Sequence, residues 1–220
     1  MMKATEYRQS QGDHTLFIKQ STTGGVTALL VYVNDIIVMG NDEKEKQDLK
    51  QCLIKEFEIK ELEKLKYFLG IEVSYSRQGI FVSQQKYVTN LLKETGKLGC
   101  KLTTTPIEAN QKLGEAKEEP IVDKEMYQRL VGKLIYLAYT RLDIAYLVSM
   151  ISQFMHDLRE THLQVAYHVL HYLKGSPGKG VLFKRNNEHT LEAYTDANYA
   201  VHLWIGDPRL VIAHFLVEIW

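Results

Sequence analysis

Apolar positions along the chain change their period several times, and each change marks an element. Leu16-Phe17-Ile18 reads as a short strand broken by Thr23-Gly24-Gly25. Ala28-Leu29-Leu30-Val31-Tyr32-Val33 and Ile36-Ile37-Val38-Met39 are β-rich apolar runs on either side of Asn34-Asp35. The pattern predicts a buried hairpin with Asn34-Asp35 as its polar tip. Gly40 ends the second run, and Asn41 or Asp42 can cap a helix whose Leu49, Cys52, Leu53 and Phe57 recur at helical spacing. A second hairpin follows, with strands Tyr67 to Tyr75 and Gly79 to Ser83 joined by Ser76-Arg77-Gln78-Gly79. Helix Gln84 to Thr95 then carries Tyr87, Val88, Leu91 and Leu92 on one side.

From Lys97 to Val122 the period disappears into Thr, Pro, Gly and charged residues, which predicts a connecting loop and a domain boundary. Helical spacing returns in three segments, Lys124 to Thr140, Ile144 to His156 and Thr161 to Lys174. Leu130, Leu134 and Leu137, then Val148, Ile151 and Phe154, then Val165, Val169 and Tyr172 are the inward positions. Short connections make these a small three-helix bundle. Gly175-Ser176-Pro177-Gly178 stops the last helix, and Val181 to Lys184 and Thr190 to Thr195 read as strands of a new element. The fold class expected is α+β: antiparallel hairpins with packed helices, then a three-helix bundle, then the first strands of another domain.

Composition narrows the function classes. The 220 residues hold 27 Lys plus Arg against 27 Asp plus Glu, so no global field draws in phosphate backbones and nucleic-acid contact must come from local patches. The chain has no signal-peptide pattern and no apolar stretch approaching the ~20 residues of a membrane span, so no membrane association or secretion is expected and the location expected is intracellular, cytoplasmic or nuclear. Cys52 and Cys100 are too few and too far apart for a zinc module.

Few constellations could carry chemistry. A rigid hairpin that projects a carboxylate from its turn suits divalent-metal coordination, although Asn-Asp is also ordinary turn chemistry. Asp196, in Tyr194-Thr195-Asp196-Ala197, reads by itself as an exposed polar residue of a strand. Of His156, His162, His168 and His171, only His168 and His171 share a helical face at close spacing, with no acidic or Cys ligand beside them, so no metal cluster is expected. The glycine-rich run Gly175 to Gly180 has Val181 where a phosphate loop needs Lys, which leaves a helix stop. The Lys-rich helix from Lys44 to Lys60 is interleaved with Glu and Asp and reads as a solvated face.

Leu30-Val31-Tyr32-Val33-Asn34-Asp35-Ile36-Ile37 resembles the Tyr-Val-Asp-Asp motif of copia-type reverse transcriptases. The resemblance continues through Phe68-Leu69-Gly70-Ile71-Glu72-Val73, Gly79-Ile80-Phe81-Val82-Ser83-Gln84-Gln85-Lys86-Tyr87 and Thr105-Pro106. It extends further through Tyr127-Gln128-Arg129-Leu130-Val131-Gly132-Lys133-Leu134-Ile135-Tyr136-Leu137, Asp143-Ile144-Ala145 and Tyr172-Leu173-Lys174-Gly175. It implies a partial polymerase palm over 1–96, a connecting loop over 97–122, a helical thumb or connection over 123–176 and the start of an RNase H-like domain over 180–200.

In that family two metal ions are held by an upstream palm aspartate and by the hairpin aspartates, so the resemblance implies Mg2+ as cofactor and an RNA/DNA hybrid as partner. It assigns Asp35 as a catalytic metal ligand, Asn34 as a degenerate first aspartate, and Asp196 as the first metal ligand of the RNase H-like remnant. Asn34 keeps a neutral oxygen but loses the charge that offsets a divalent cation. The upstream aspartate has no counterpart in these residues. The resemblance thus implies an RNA-directed DNA polymerase by descent that is inactive alone. The competing reading is a non-enzymatic module that binds nucleic acid or a protein.

The departures from the family pattern share a codon chemistry. Asn34 stands for Asp, Leu142 and Leu158 for Pro, and His168 and His171 for Arg, each reachable by one C-to-T or G-to-A change. This predicts a copy decaying by deamination, and codons showing other base changes would remove the argument. Resemblance stops at Leu203. Codons for the family-like Ser-Val-Asp-Arg-Arg-Ser-Thr-Ser-Gly-Tyr-Cys-Thr-Phe-Leu-Gly-Gly-Asn-Leu-Val, read from the second base, give Leu203 to Trp220. Residues 201–220 are therefore expected to be frameshifted text with no selected fold. The coding DNA around Ala200 to His202 decides the matter.

Overall fold

In the computed structural model the chain forms two compact units, Met1–Leu65 and Lys66–Trp220. The structure describes residues 6–22, 24–57, 59–60, 64–107, 123–156, 158–185, 191–193 and 215–217, the last two ranges as backbone alone. Asp196 and most of the tail lie outside the described residues.

The first unit is a four-stranded antiparallel sheet in the order β1 (Arg8–Gln9), β2 (Leu16–Gln20), β3 (Val26–Tyr32) and β4 (Asp35–Gly40), with helix α1 (Glu43–Glu56) beside it. Cross-strand partners lie on one face, so the row Phe17, Leu29 and Val38 points the same way. This row meets Leu49 and Leu53 of α1, and Tyr7 completes the core. The Asp42 carboxylate caps α1 by accepting from the Glu45 N–H at 3.0 Å. Glu45 in turn accepts from Lys19 at 3.0 Å and Tyr7 at 3.2 Å, which ties the helix to the sheet. α1 ends at Glu56 and Phe57 turns into extended backbone, which leaves its ring exposed and not in the inward row its spacing predicted.

The second unit has a four-stranded antiparallel sheet, in the order β5 (Tyr67–Phe68), β6 (Ile71–Tyr75), β7 (Gly79–Ser83) and β8 (Gly180–Lys184). The stretch Tyr67 to Tyr75 is therefore a tight hairpin and not one strand. Leu69 and Gly70 both have positive φ, +50° and +86°, the geometry of a two-residue hairpin turn. The Tyr136 hydroxyl donates to the Leu69 carbonyl and holds this turn. Β-strand pairing also extends to Leu191–Ala193 (β9) and Phe215–Val217 (β10), which form an antiparallel pair of their own.

Four helices build the main core of this unit: α2 (Gln85–Glu94), α3 (Lys124–Ala138), α4 (Leu142–Ser152) and α5 (Glu160–Gly175). Of the inward residues read from the spacing, Leu130, Leu134, Leu137, Val148, Ile151, Val165, Val169 and Tyr172 are buried there, while Phe154 is only partly buried against them. The bundle differs from the three-helix expectation because Val88, Leu91 and Leu92 of α2 join the same core. α4 also ends earlier than its pattern suggested, since Gln153 to His156 form a turn and a bend.

At the start of α4, Leu142 is the first helical residue and exposed, following Arg141 at φ −114°, ψ 71°. A first-turn amide has no helical acceptor, so proline fits here without losing a helix bond. Leu142→Pro should raise stability by about 0.5 kcal/mol through the unfolded chain. A denaturation midpoint that falls instead would show that Arg141 needs a backbone angle proline denies it.

Candidate metal-site hairpin

The β3–β4 hairpin presents the first candidate residues. Tyr32 pairs with Asp35, so the two-residue tip is Val33-Asn34, one position earlier than the turn chemistry of Asn34-Asp35 suggested. Asp35 is the first residue of β4 and not part of the tip. Val33 makes this turn with φ +50° and is 83% exposed. A β-branched residue in the left-handed region is strained, at a cost of about 1–2 kcal/mol. Strain of this kind persists where the flanking strands dictate the geometry, as six paired positions do here.

The register decides which way Asp35 faces. Its partner Tyr32 belongs with Leu30 and Ala28, on the side of the sheet opposite the Leu29 row that meets α1. That side carries Leu16, Ile18, Leu30, Ile37 and Met39, and among the described residues no helix of this unit covers it. The hairpin is thus buried on one face, and not on both as its apolar sequence implied. Both Asn34 and Asp35 are exposed, and among the described residues no side chain pairs with the Asp35 carboxylate.

The donor set can be weighed against the metal that the resemblance implies. Mg2+ is held by one or two carboxylates together with waters and substrate phosphates. The hairpin supplies one carboxylate, Asp35, and one neutral amide oxygen, Asn34. Among the described residues no group of three or more His, Cys, Asp and Glu gathers in one place. The donors on this hairpin alone do not fit a two-metal centre.

The histidines singled out by their spacing have other occupations. His168 Nε2 lies 3.0 Å from the Thr105 carbonyl, in hydrogen-bond contact with the chain that precedes α3. His171 is held below the ordinary imidazole range by burial and by the charges of Lys97, His168 and Lys174. His162 is buried, stacks on Phe154 at 4.0 Å, and accepts from the Arg159 N–H at 3.0 Å to cap α5.

Sequence spacing gave no warning of a second polar cluster, at the junction of α4, α5 and β8. Arg141 is 1% exposed, and its Nε and Nη2 reach the two Asp143 oxygens at 2.9 and 2.8 Å. Its Nη1 donates to the Ser176 carbonyl at 2.8 Å and its Nη2 to the Ser176 hydroxyl at 2.9 Å. The Tyr172 hydroxyl donates to Asp143 at 2.6 Å, and Lys179 Nζ donates to Tyr172 at 2.9 Å and stands 3.6 Å from Asp143. Burial pushes the Asp143 carboxyl up, but bonds from Arg141 and Tyr172 and the charges of Arg141 and Lys179 outweigh it and hold the pKa at about 2.

Comparison with known proteins follows the hairpin and continues beyond it. A family model described as reverse transcriptase (RNA-dependent DNA polymerase) matches residues 1–109. The Retrovirus-related Pol polyprotein from transposon RE1 of Arabidopsis thaliana is 39% identical over 198 residues, which is 90% of this chain and 13% of the polyprotein. The corresponding polyprotein from transposon RE2 of the same plant is 38% identical over 198 residues, again 90% of this chain and 13% of its own length. An uncharacterized mitochondrial protein of Arabidopsis thaliana is 33% identical over 174 residues, 78% of this chain and 71% of that protein. The chain thus spans about an eighth of each of these two polyproteins, 13% in each case. No solved structure matches.

Proposed function

Because the chain belongs to the reverse transcriptase (RNA-dependent DNA polymerase) family of retrotransposon Pol polyproteins, we propose that it is a reverse-transcriptase segment that does not add nucleotides by itself. In this reading the β3–β4 hairpin is the metal-facing hairpin of a polymerase palm, and α3 to α5 belong to the thumb or connection. The observation that carries the reading is the pair at the hairpin: an exposed Asp35 facing away from α1, and beside it Asn34, which offers oxygen without charge. What this chain itself contributes is a rigid two-strand mount that fixes Asp35. Asp196 keeps its proposed place as a ligand of an RNase H-like remnant.

The test is primer extension on an RNA template by the purified 220-residue chain with Mg2+. No incorporation is expected, and Asn34→Asp should not restore it, since one added carboxylate leaves the donor set short of two metals. Template-dependent incorporation that Asp35→Ala abolishes would overturn the proposal. Binding of primer-template is expected to be weak and to fall with salt, because balanced charge leaves only local phosphate contacts.

A further inference from the structure

β8 is an edge strand that has β7 as its one substantial neighbour among the described elements. Its side chains from Gly180 to Phe183 are only half-buried and Lys184 is exposed, so it adds nothing to the fully buried core. A strand held mainly by main-chain bonds on one side belongs to the least stable part of a fold. At its far end it is fastened by the Arg185 N–H, which donates to the Gln78 carbonyl at 2.9 Å.

The near end is fastened differently. The link from α5 to β8 runs from Ser176 to Lys179, and the polar cluster grips both of its ends. Arg141 holds Ser176 through carbonyl and hydroxyl, and Lys179 reaches back to Tyr172 and Asp143. The inner half of the cluster is buried in the bundle, with the Arg141 side chain 1% exposed, while the outer half meets solvent, with 56% of Lys179 and 30% of Asp143 exposed. The pairing that it guards is close. A Cβ on Gly180 would lie 2.1 Å from the Val82 carbonyl, and one on Gly79 would lie 1.9 Å from the Phe183 carbonyl. Only glycine lets the strands approach at both ends of this ladder.

We propose that the cluster of Arg141, Asp143, Tyr172, Ser176 and Lys179 is a latch: it holds the α5–β8 link against the bundle, and when its outer half opens β8 leaves β7 as a unit while the four-helix core stays folded. Opening bares the β7 edge, Gly79–Ser83.

The groups that face Asp143 are Arg141, Tyr172 and Lys179. Its carboxyl pKa is lower in the folded chain than in the unfolded one. Its contribution is therefore complete above about pH 4 and is lost as pH falls through about 2. Acid is thus a second way to open the latch.

Hydrogen exchange read by mass spectrometry on the full chain tests this. Lys179→Ala should speed exchange of the β8 and Arg185 amides at least about threefold, with the buried amides of α3 and α5 unchanged, and Lys179→Arg should restore protection. Lowering pH from 4 to about 2 should give the same local pattern after correction for intrinsic rates. Gly180→Val, which blocks the pairing directly, supplies the signal of an undocked strand. The latch is refuted by β8 protection that ignores Lys179→Ala. It is equally refuted if α3 and α5 amides accelerate in step with β8, or if Gly180→Val unfolds the bundle, since β8 would then not be separable.

Discussion

Replacing Tyr127 by alanine should cost the helical unit about 4 kcal/mol of stability, near the upper end for a single core truncation. The ring is fully buried in α3 among Leu130, Val131, Ile151 and their neighbours, and burial pushes its phenol well above the ordinary tyrosine range. Its hydroxyl donates to the Ile151 carbonyl at 2.8 Å, near the end of α4, where that carbonyl also accepts from the Phe154 N–H at 3.3 Å. The two contributions separate by substitution. Tyr127→Phe removes the hydrogen bond and keeps the ring, and should cost about 1 kcal/mol. Tyr127→Ala adds the cavity. Chemical denaturation followed by the helical signal measures both. Equal losses for Phe and Ala would mean that the bundle collapses around the missing ring, against the close packing described here.

The second large effect is expected at Gly40, where β4 leaves the sheet. Its φ is +138°, and a Cβ there would lie 2.1 Å from the Val26 carbonyl and 2.9 Å from the Thr27 Cα on the partner strand. Gly40→Ala therefore strains the backbone and forces β3 from β4 at the Thr27–Gly40 pair. It also disturbs the bonds between Val26 and Asn41, 2.7 Å from the Val26 N–H to the Asn41 side chain and 3.1 Å from the Asn41 N–H to the Val26 carbonyl. A loss of about 3 kcal/mol or more is expected. The unit has a small core, Tyr7, Leu29, Leu49 and Leu53, and domains of this size are marginal. Exchange protection of the β3 and β4 amides should disappear, and the hairpin that mounts Asp35 should lose its register. Retained protection would mean that the strand end yields without disturbing the site.

Much of this fold is legible in local patterns. Leu130, Leu134 and Leu137 at helical spacing and the alternation around Leu29 are enough to place α3 and β3 and to choose their buried faces. The Asp42 cap and the stop after Gly175 are equally local. The errors arise where tertiary contact decides between local options. Tyr67 to Tyr75 is mostly strand formers around a single glycine, yet Leu69-Gly70 turns it back, held by Tyr136, 67 residues along the chain. α2 has the same amphipathic pattern whichever partner it meets, so nothing in its own sequence says that it shares a core with α3 to α5.

At the candidate site the residue types were readable and the register was not. The motif picks out Asn34 and Asp35, but the register pairs Tyr32 with Asp35, which puts the turn at Val33-Asn34 and Asp35 on the strand. The Arg141 cluster was invisible for the opposite reason. Its members lie at 141, 143, 172, 176 and 179, and only the fold unites them.

The pairing of β7 with β8 sets an order of events during synthesis. Ser83 and Gly180 are partners, so on the order of 100 residues must emerge from the ribosome between one strand and the other. The local hairpin β6–β7 can close within microseconds of its appearance, whereas β7 must wait for the bundle to form and for β8 to follow. Through that interval the nascent chain carries a bare apolar edge, Ile80-Phe81-Val82, flanked by no charge within β7. Any product that stops short of Gly180 keeps this edge permanently. Such truncated chains are expected to associate through β7 and to reach the insoluble fraction, while the chain that includes β8 seals its own edge and stays dispersed.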